Sequence, residues 1–164
     1  MANFYSFLFS LFLALTILPD EASSECPLGW YHYGNSCFFY SHEMFDWFVS
    51  QSSCRAHNAR LAEIETKAQS DILIHLAKTN GPGQSYWLGG RDDVIEGVWM
   101  WASTDREFNY TDWAPGQPDN YAGNENCLHL YATQAMKWND MTCTYKNRFI
   151  CEKEYSDDGS EIVG

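Results

Sequence analysis

Hydrophobic residues recur at helical spacing in two segments of the first half of the chain. In residues 45–58, Asp46 is a suitable N-cap for a helix. The apolar residues at helical spacing behind it are Trp47, Phe48 and Cys54. In the second segment, Thr66 and Gln69 have the spacing of a capping box, and apolar residues follow at helical intervals until residues 80–82, Asn-Gly-Pro. The pattern therefore predicts two helices.

Aromatic and apolar residues then cluster in short runs that are typical of strands. In residues 29–41, two aromatic runs flank Gly34 and Asn35, which predicts a β-hairpin. Later runs of the same character, separated by polar and glycine-bearing segments, are residues 85–88, 98–101, 127–131 and 148–152. Because helices precede strands without a βαβ alternation, we expect an α+β fold in which two helices pack on mostly antiparallel sheets.

The segment of residues 103–126 is long and polar, and the sequence predicts little regular structure in it. Loops of this length in compact domains are usually functional or disordered, and the tryptophans on either side favour function. Trp113 lies within the loop, and we expect it to pin the loop to the body of the domain. Other tryptophans fall in strand-like runs and are expected in the core: Trp87, Trp99, Trp101 and Trp138.

The chain begins with an apolar run, residues 4–18, that ends before the small residues Ala22, Ser23 and Ser24. The run is short for a bilayer span, and we predict a secretory signal peptide over residues 1–24. A membrane anchor is the alternative, because no Lys or Arg precedes the run. No second apolar stretch follows, so we expect a secreted, extracellular product without a membrane span after cleavage. An acidic, flexible tail is expected over residues 154–164.

Composition narrows the class of protein. The chain is 45% hydrophobic and 16% aromatic, which indicates a packed core, and its 164 residues fit one domain. With 10 Lys and Arg against 22 Asp and Glu, the net charge is −12, so we expect no nucleic-acid partner.

The cysteines are Cys26, Cys37, Cys54, Cys127, Cys143 and Cys151. An even number in a small exported chain implies disulfides, although their count leaves the pairing open; a zinc site is disfavoured because no pair has C-x-x-C spacing.

Oxygen-bearing side chains are concentrated in the long loop and in the run that follows it. They are Gln117, Asp119, Glu125, Asn139 and Asp140. Calcium takes about six to eight oxygen ligands, so one oxygen from each residue and the Asp140 carbonyl would leave roughly two positions open. The three carboxylates would leave a bound Ca²⁺ with one net negative charge, which favours neutral hydroxyl ligands. We also predict a cis Gln117-Pro118 bond, which would turn both flanking side chains toward one point.

These residues carry a resemblance to a known family. The similar motifs are Trp87-Leu88-Gly89-Gly90, Gln117-Pro118-Asp119, Glu125 before Cys127, and Trp138-Asn139-Asp140. They resemble the C-type lectin-like domain in its long form, which would occupy residues 25–153. The resemblance implies three disulfides: Cys26–Cys37, Cys54–Cys151 and Cys127–Cys143. It also implies that the five oxygen-bearing residues hold one calcium ion, which in turn binds two vicinal sugar hydroxyls.

The order of the tripeptide bears on sugar specificity. In this family Gln-Pro-Asp resembles the galactose or N-acetylgalactosamine type, whereas Glu-Pro-Asn resembles the mannose type. The expected sugar contacts are Gln117, Asp119, Glu125 and Asn139, with Tyr121 stacking on the apolar face of galactose. The loop has Tyr where galactose-binding relatives often have Trp, and it lacks their glycine-rich insertion. Broad or mannose-binding specificity is therefore the alternative.

Two further sites follow from the residues. The resemblance assigns an auxiliary calcium site to Asp92, Glu96, Asn120 and Asn126, with Glu125 shared. Two of these positions are amides where relatives commonly have acids, so we expect the site to be weak or empty, and a solvated turn is the alternative for its acidic part. Asn109-Tyr110-Thr111 is an acceptor pattern for N-glycosylation in an exported chain.

The function expected from the sequence is that of a secreted, calcium-dependent lectin for galactose-type glycans on glycoproteins or microbial surfaces, in innate immunity. Open, hydrated sites bind single sugars weakly, so a homo-oligomer would raise avidity. A non-sugar module, such as one that binds mineral surfaces in biomineralisation, is the alternative. An enzyme is disfavoured, because the sequence has no G-x-S-x-G or H-E-x-x-H motif and no convincing nucleophile beside a base.

Overall fold

The computed structural model describes residues 26–155. The expected signal peptide, residues 1–24, and residues 156–164 of the expected tail lie outside the described residues. None of the helices in the described part has the length and apolar character that a membrane-spanning helix requires.

Both predicted helices are confirmed. Helix α1 is Trp47–Ala56 and helix α2 is Lys67–Asn80. The Asp46 carboxylate accepts from the Val49 amide at 2.9 Å, and the Thr66 hydroxyl accepts from the Gln69 amide at 3.2 Å. The predicted apolar face of α1 is wrong at one position. Phe48 is 55% exposed, and the buried positions of the helix are Trp47, Ser50 and Cys54.

Each predicted run contains a strand, although the run of residues 98–101 is strand only at Met100 and Trp101. Along residues 26–155 the strands are β1 Tyr31–Tyr33, β2 Ser36–Tyr40, β3 Arg60–Leu61, β4 Tyr86–Arg91, β5 Met100–Trp101, β6 Arg106–Glu107, β7 Cys127–Tyr131, β8 Lys137–Met141 and β9 Arg148–Glu154. Strands β1 and β2 form the predicted hairpin around Gly34, whose φ of 58° suits glycine. Glu154, the first residue of the expected tail, pairs with Ser36 in the sheet.

The sheet is antiparallel apart from one pairing. Its main path is β1-β2-β9-β4-β5-β6, with β3 beside β9, and β7 between β4 and β8. Strands β4 and β9 run parallel, while the other pairs within the described residues are antiparallel. The fold is therefore the expected α+β arrangement, with the long loop leaving the sheet after β6 and returning into β7.

The three disulfides implied by the resemblance are confirmed. They are Cys26–Cys37, Cys54–Cys151 and Cys127–Cys143. The second ties helix α1 to strand β9, and the third joins the start of β7 to the chain just beyond β8. The third bridge therefore encloses the segment that carries Asn139 and Asp140.

Two glycines in β4 allow its neighbours to approach closely. A Cβ at Gly90 would lie 2.5 Å from Cζ of Phe108 and 2.8 Å from Cδ2 of Leu128. A Cβ at Gly89 would lie 2.9 Å from the Leu61 carbonyl oxygen. The Trp-Leu-Gly-Gly motif thus lets the sheet pack tightly behind the long loop.

Candidate functional site

Trp113 anchors the first half of the long loop to strand β8, as expected. The Ala114 amide donates to the Trp138 carbonyl at 2.8 Å, and the Trp138 amide donates to the Asp112 carbonyl at 2.9 Å. The indole rings of Trp113 and Trp138 meet edge to face, with centroids 5.6 Å apart. This attachment fixes the backbone a few residues before Gln117.

The loop then turns across the end of β8. The Gln117-Pro118 bond is cis, which confirms the prediction. The carboxylate of Asp140 accepts from the Asp119 amide at 3.2 Å and from the Asn120 amide at 2.6 Å. Asn120 has φ 41° and ψ 52°, a left-handed conformation that Asn adopts more readily than most residues. The loop backbone is therefore held against the strand.

Three carboxylates converge at this turn. Asp119, Glu125 and Asp140 each offer an oxygen, and these oxygens lie within 4.8 Å of one another. Asp140 is 1% exposed, Glu125 is half-buried and Asp119 is exposed. Burial raises the pKa of the Glu125 carboxyl, and the charges of Asp140 and Asp119 raise it further, while a hydrogen bond from the Tyr121 amide lowers it. A cation would relieve this repulsion.

Gln117 and Asn139 are the amides of the predicted ligand set, and they lie close in the chain to Asp119 and Asp140. The Oε1 atom of Gln117 is buried and has no hydrogen-bond partner among residues 26–155. Such an orphaned acceptor costs about 1–3 kcal/mol, so it calls for a donor or a cation. Asn139 is 5% exposed, and its amide nitrogen donates to the Asp140 carbonyl oxygen. Amide and carboxylate oxygens together form a donor set that fits calcium.

Sequence reasoning missed His129, which lies behind Asn139. The two residues face each other in the β7–β8 register, and Nε2 of His129 is 3.1 Å from Nδ2 of Asn139. Burial lowers the pKa of His129 to about 3, so the ring is neutral near pH 7. The only sequence signal was a histidine in a strand-like run, and that position is most often a satisfied core residue.

The residues assigned to an auxiliary site are only partly gathered. Asp92 is buried, and its Oδ2 accepts from the Gly97 amide at 2.9 Å, while its Oδ1 has no hydrogen-bond partner in the described part of the chain. Burial raises the pKa of the Asp92 carboxyl, and Glu96 and Asp140 raise it further. Asn120 uses its side-chain oxygen to accept from the Glu125 amide at 3.0 Å. Within residues 26–155, the one group of three acidic or histidine side chains close enough to share an ion is the Asp119, Glu125 and Asp140 cluster.

Two other predicted residues are accessible. Tyr121 is 75% exposed at the tip of the loop, so its ring is available to a ligand. Asn109 is also exposed, as a glycosylation acceptor must be. Sugar stacking at Tyr121 and glycosylation at Asn109 stay predictions.

The fold and the site define a disulfide-bonded recognition module with an oxygen-rich loop. The family model "Lectin C-type domain" matches residues 44–153, and the chain belongs to the C-type lectin family. This membership supports a carbohydrate-binding lectin and a non-enzymatic function.

Individual relatives extend the match over most of the chain. The galactose-specific lectin nattectin of Thalassophryne nattereri is 35% identical over 159 residues, which cover 93% of this chain and 99% of that protein. Perlucin of Haliotis laevigata is 39% identical over 130 residues, 79% of this chain and 83% of that protein. The carbohydrate-recognition domain of the mouse scavenger receptor C-type lectin superposes with a TM-score of 0.73 at 30% identity, covering 79% of this chain and 98% of that one.

Proposed function

We propose that this chain is a calcium-dependent lectin that binds galactose or N-acetylgalactosamine on glycoproteins or microbial surfaces. The observation that carries the proposal is the convergence of the Asp119, Glu125 and Asp140 carboxylate oxygens within 4.8 Å. Gln117, whose buried amide oxygen has no hydrogen-bond partner within the described residues, is separated from Asp119 only by Pro118. The galactose specificity in the name of nattectin, which is 35% identical, supports the same reading.

Five residues would hold the ion. They are Gln117, Asp119, Glu125, Asn139 and Asp140. When bound, calcium would supply two coordination positions for vicinal hydroxyls of the sugar. Three carboxylates against a dication leave one net negative charge, so neutral hydroxyls are favoured over anionic ligands.

The side chains would also bind the sugar directly. An amide that gives its oxygen to the ion keeps its NH₂ group as a donor, and a carboxylate keeps one oxygen as an acceptor. Gln117 and Asp119 therefore offer a donor and an acceptor in one fixed order around Pro118. The exposed ring of Tyr121 would cover the apolar face that the axial hydroxyl of galactose leaves continuous.

Binding to β-methyl galactoside, measured by calorimetry with calcium and again with a chelator, tests the proposal. The Asp119→Ala and Asn139→Ala variants should lose binding, and Asp71→Ala, which removes an exposed acid of helix α2, should bind like the natural chain. Circular dichroism checks that each variant is folded. Chelator-sensitive binding of natural strength in the Asp119→Ala variant would refute the ligand assignment.

Broad specificity that includes mannose is the second candidate. Tyr121 favours it, because a tyrosine ring covers less of galactose than the tryptophan common in galactose-binding relatives. Competition of bound galactoside by β-methyl mannoside distinguishes the two. Equal competition by both sugars would replace galactose preference with broad specificity.

Secretion is a separate proposal. The apolar run of residues 4–18 and the three disulfides support export through an oxidising compartment. Expression of the full chain in cultured eukaryotic cells should release a protein that begins at Glu25, as mass spectrometry of its N-terminus would measure. Retention in the membrane fraction with residues 1–24 still attached would favour an anchor.

A further inference from the structure

A groove of about 330 Å³ borders the proposed sugar site. Trp99, Phe108 and Trp113 line it together with Pro118, whose two neighbours in the chain are proposed sugar contacts. Pro118 stands between Gln117 and Asp119, so the groove begins where the proposed sugar contacts are located. Its volume is in the range of pockets that hold small organic ligands.

Three aromatic rings contribute the apolar part of a groove whose lining is otherwise polar. The Trp99 and Trp113 rings meet edge to face with centroids 4.9 Å apart. Phe108 lies 6.0 Å from the Trp99 ring and 6.5 Å from the Trp113 ring. The residues on either side of Trp113 are hydrogen-bonded to strand β8, which holds this ring in place and lowers the cost of ordering it around a ligand.

Polar groups are present beside the rings. Trp99 is only 7% exposed, and its indole N–H has no hydrogen-bond partner among the residues that the structure describes. The exposed residues Glu107 and Thr111 also line the groove and supply an acceptor and a hydroxyl. A polar lining that also presents aromatic rings matches a pyranose ring, which has a rim of hydroxyls and a C–H face. The Glu107 carboxylate disfavours an anionic occupant.

We propose that this groove binds the second sugar of a glycan whose terminal galactose-type residue is bound at Gln117 and Asp119. The inference rests on the proposed function and extends it from a single sugar to a linked pair. Continuity through Pro118 favours a linked sugar over an independent ligand. The groove would therefore select among linkages that the terminal site alone does not distinguish.

The experiment compares β-methyl galactoside with three disaccharides by calorimetry in calcium. Each has a terminal galactose, linked to the 3-, 4- or 6-hydroxyl of N-acetylglucosamine. The natural chain should bind at least one disaccharide about three- to tenfold more tightly than the monosaccharide, the gain from one or two net hydrogen bonds. Glu107→Ala and Thr111→Phe should remove that gain and leave the monosaccharide Kd unchanged.

Matched controls separate the groove from other effects. Glu154→Ala removes an exposed acid on strand β9, and Asn109→Gln removes the glycosylation acceptor that Thr111→Phe also destroys. Both should keep the disaccharide gain. Equal affinity for the monosaccharide and all three disaccharides would overturn the groove alone. No calcium-dependent binding of either would overturn the proposed function with it, and equal weakening of both by Glu107→Ala would show that the groove is not a separate subsite.

Discussion

The buried carboxylate of Asp140 holds the backbone amide of Asp119 at 3.2 Å, and through its other oxygen it holds the next amide, that of Asn120, at 2.6 Å. Two roles therefore meet in one side chain, because Asp140 fixes the loop and is also a proposed calcium ligand. Asp119 differs, because its own side chain is exposed and only its backbone amide is bonded to strand β8. The two acids should respond differently to substitution.

Asp140→Ala should weaken calcium binding and also destabilise the calcium-free protein by about 1–3 kcal/mol, because two loop amides lose their acceptor. Asp119→Ala should weaken calcium binding with little effect on the calcium-free protein. Urea unfolding in chelator measures the stability, and calorimetry measures the calcium Kd. Equal stability losses in the two variants would contradict the anchoring role of Asp140.

Exchanging the amide and the acid around Pro118 should reverse sugar preference. In the double variant Gln117→Glu and Asp119→Asn, the donor and the acceptor offered to the sugar change places while the calcium donor set keeps its oxygens. Binding should shift from galactose toward mannose, as a glycan array with and without chelator would show. An unchanged array profile would mean that the tripeptide does not set specificity in this chain.

Tyr121 provides a test that leaves the ion untouched. Removal of its exposed ring in Tyr121→Ala should reduce galactoside affinity about three- to tenfold, since contact area with the sugar is lost. Tyr121→Trp should raise the affinity by enlarging that area, and the calcium Kd should stay the same in both. Loss of calcium binding in Tyr121→Ala would instead assign the residue to the loop structure.

The chemistry of the proposed calcium site could be predicted from the sequence because it depends on residue types within short segments. Gln117, Pro118 and Asp119 are adjacent, so a cis bond and their oxygens were predicted together, and the structure bears out the bond. The contact of His129 with Asn139 could not be read, because it follows from the β7–β8 register. The aromatic groove was equally hidden, since Trp99 and Trp113 meet across the base of the loop rather than along the chain.

Helix α1 shows a second limit. The sequence placed Phe48 on the apolar face, but the helix buries Trp47, Ser50 and Cys54 instead. Ser50 satisfies its hydroxyl by donating to the Asp46 carbonyl at 2.8 Å, so a small polar residue can face the core. Hydrophobicity alone favours burial of Phe48 over Ser50. The side of the helix that faces the sheet is instead fixed by the disulfide from Cys54 to Cys151.

The bridge Cys127–Cys143 should matter for calcium as well as for stability. It closes a segment with a sequence separation of 16 that contains Asn139 and Asp140. Replacing both cysteines by alanine should cost about 3 kcal/mol of unfolding free energy and weaken calcium binding. The Cys26→Ala and Cys37→Ala pair, which opens a segment with a separation of 11, is the control and should leave the calcium Kd unchanged. Equal calcium affinity in both double variants would contradict the link.

Glu63 should make stability depend on pH in a predictable direction. Burial raises the pKa of its carboxyl above 4.5, and Glu152 adds to the rise, while the Ser103 hydroxyl at 2.5 Å and Arg60 oppose it. Above pH 4.5 the folded protein therefore keeps a proton that the unfolded chain releases. The stability that the protonated Glu63 carboxyl contributes is fully present below the pKa that Glu63 has in the unfolded chain. It is lost as pH rises through the higher pKa of the folded protein.

The Glu63→Gln side chain cannot titrate. The free energy of unfolding of this variant, minus that of the natural chain, should therefore rise between pH 4.5 and neutral pH. The substitution can add a constant to this difference, but a constant does not change with pH. Urea titrations in chelator at several pH values measure this difference, and Glu154→Gln controls for the same change at an exposed position. A difference that falls with pH would mean that Arg60 and the Ser103 hydroxyl outweigh burial at this carboxyl. Because linkage fixes the sign, the result reports on the buried acid itself.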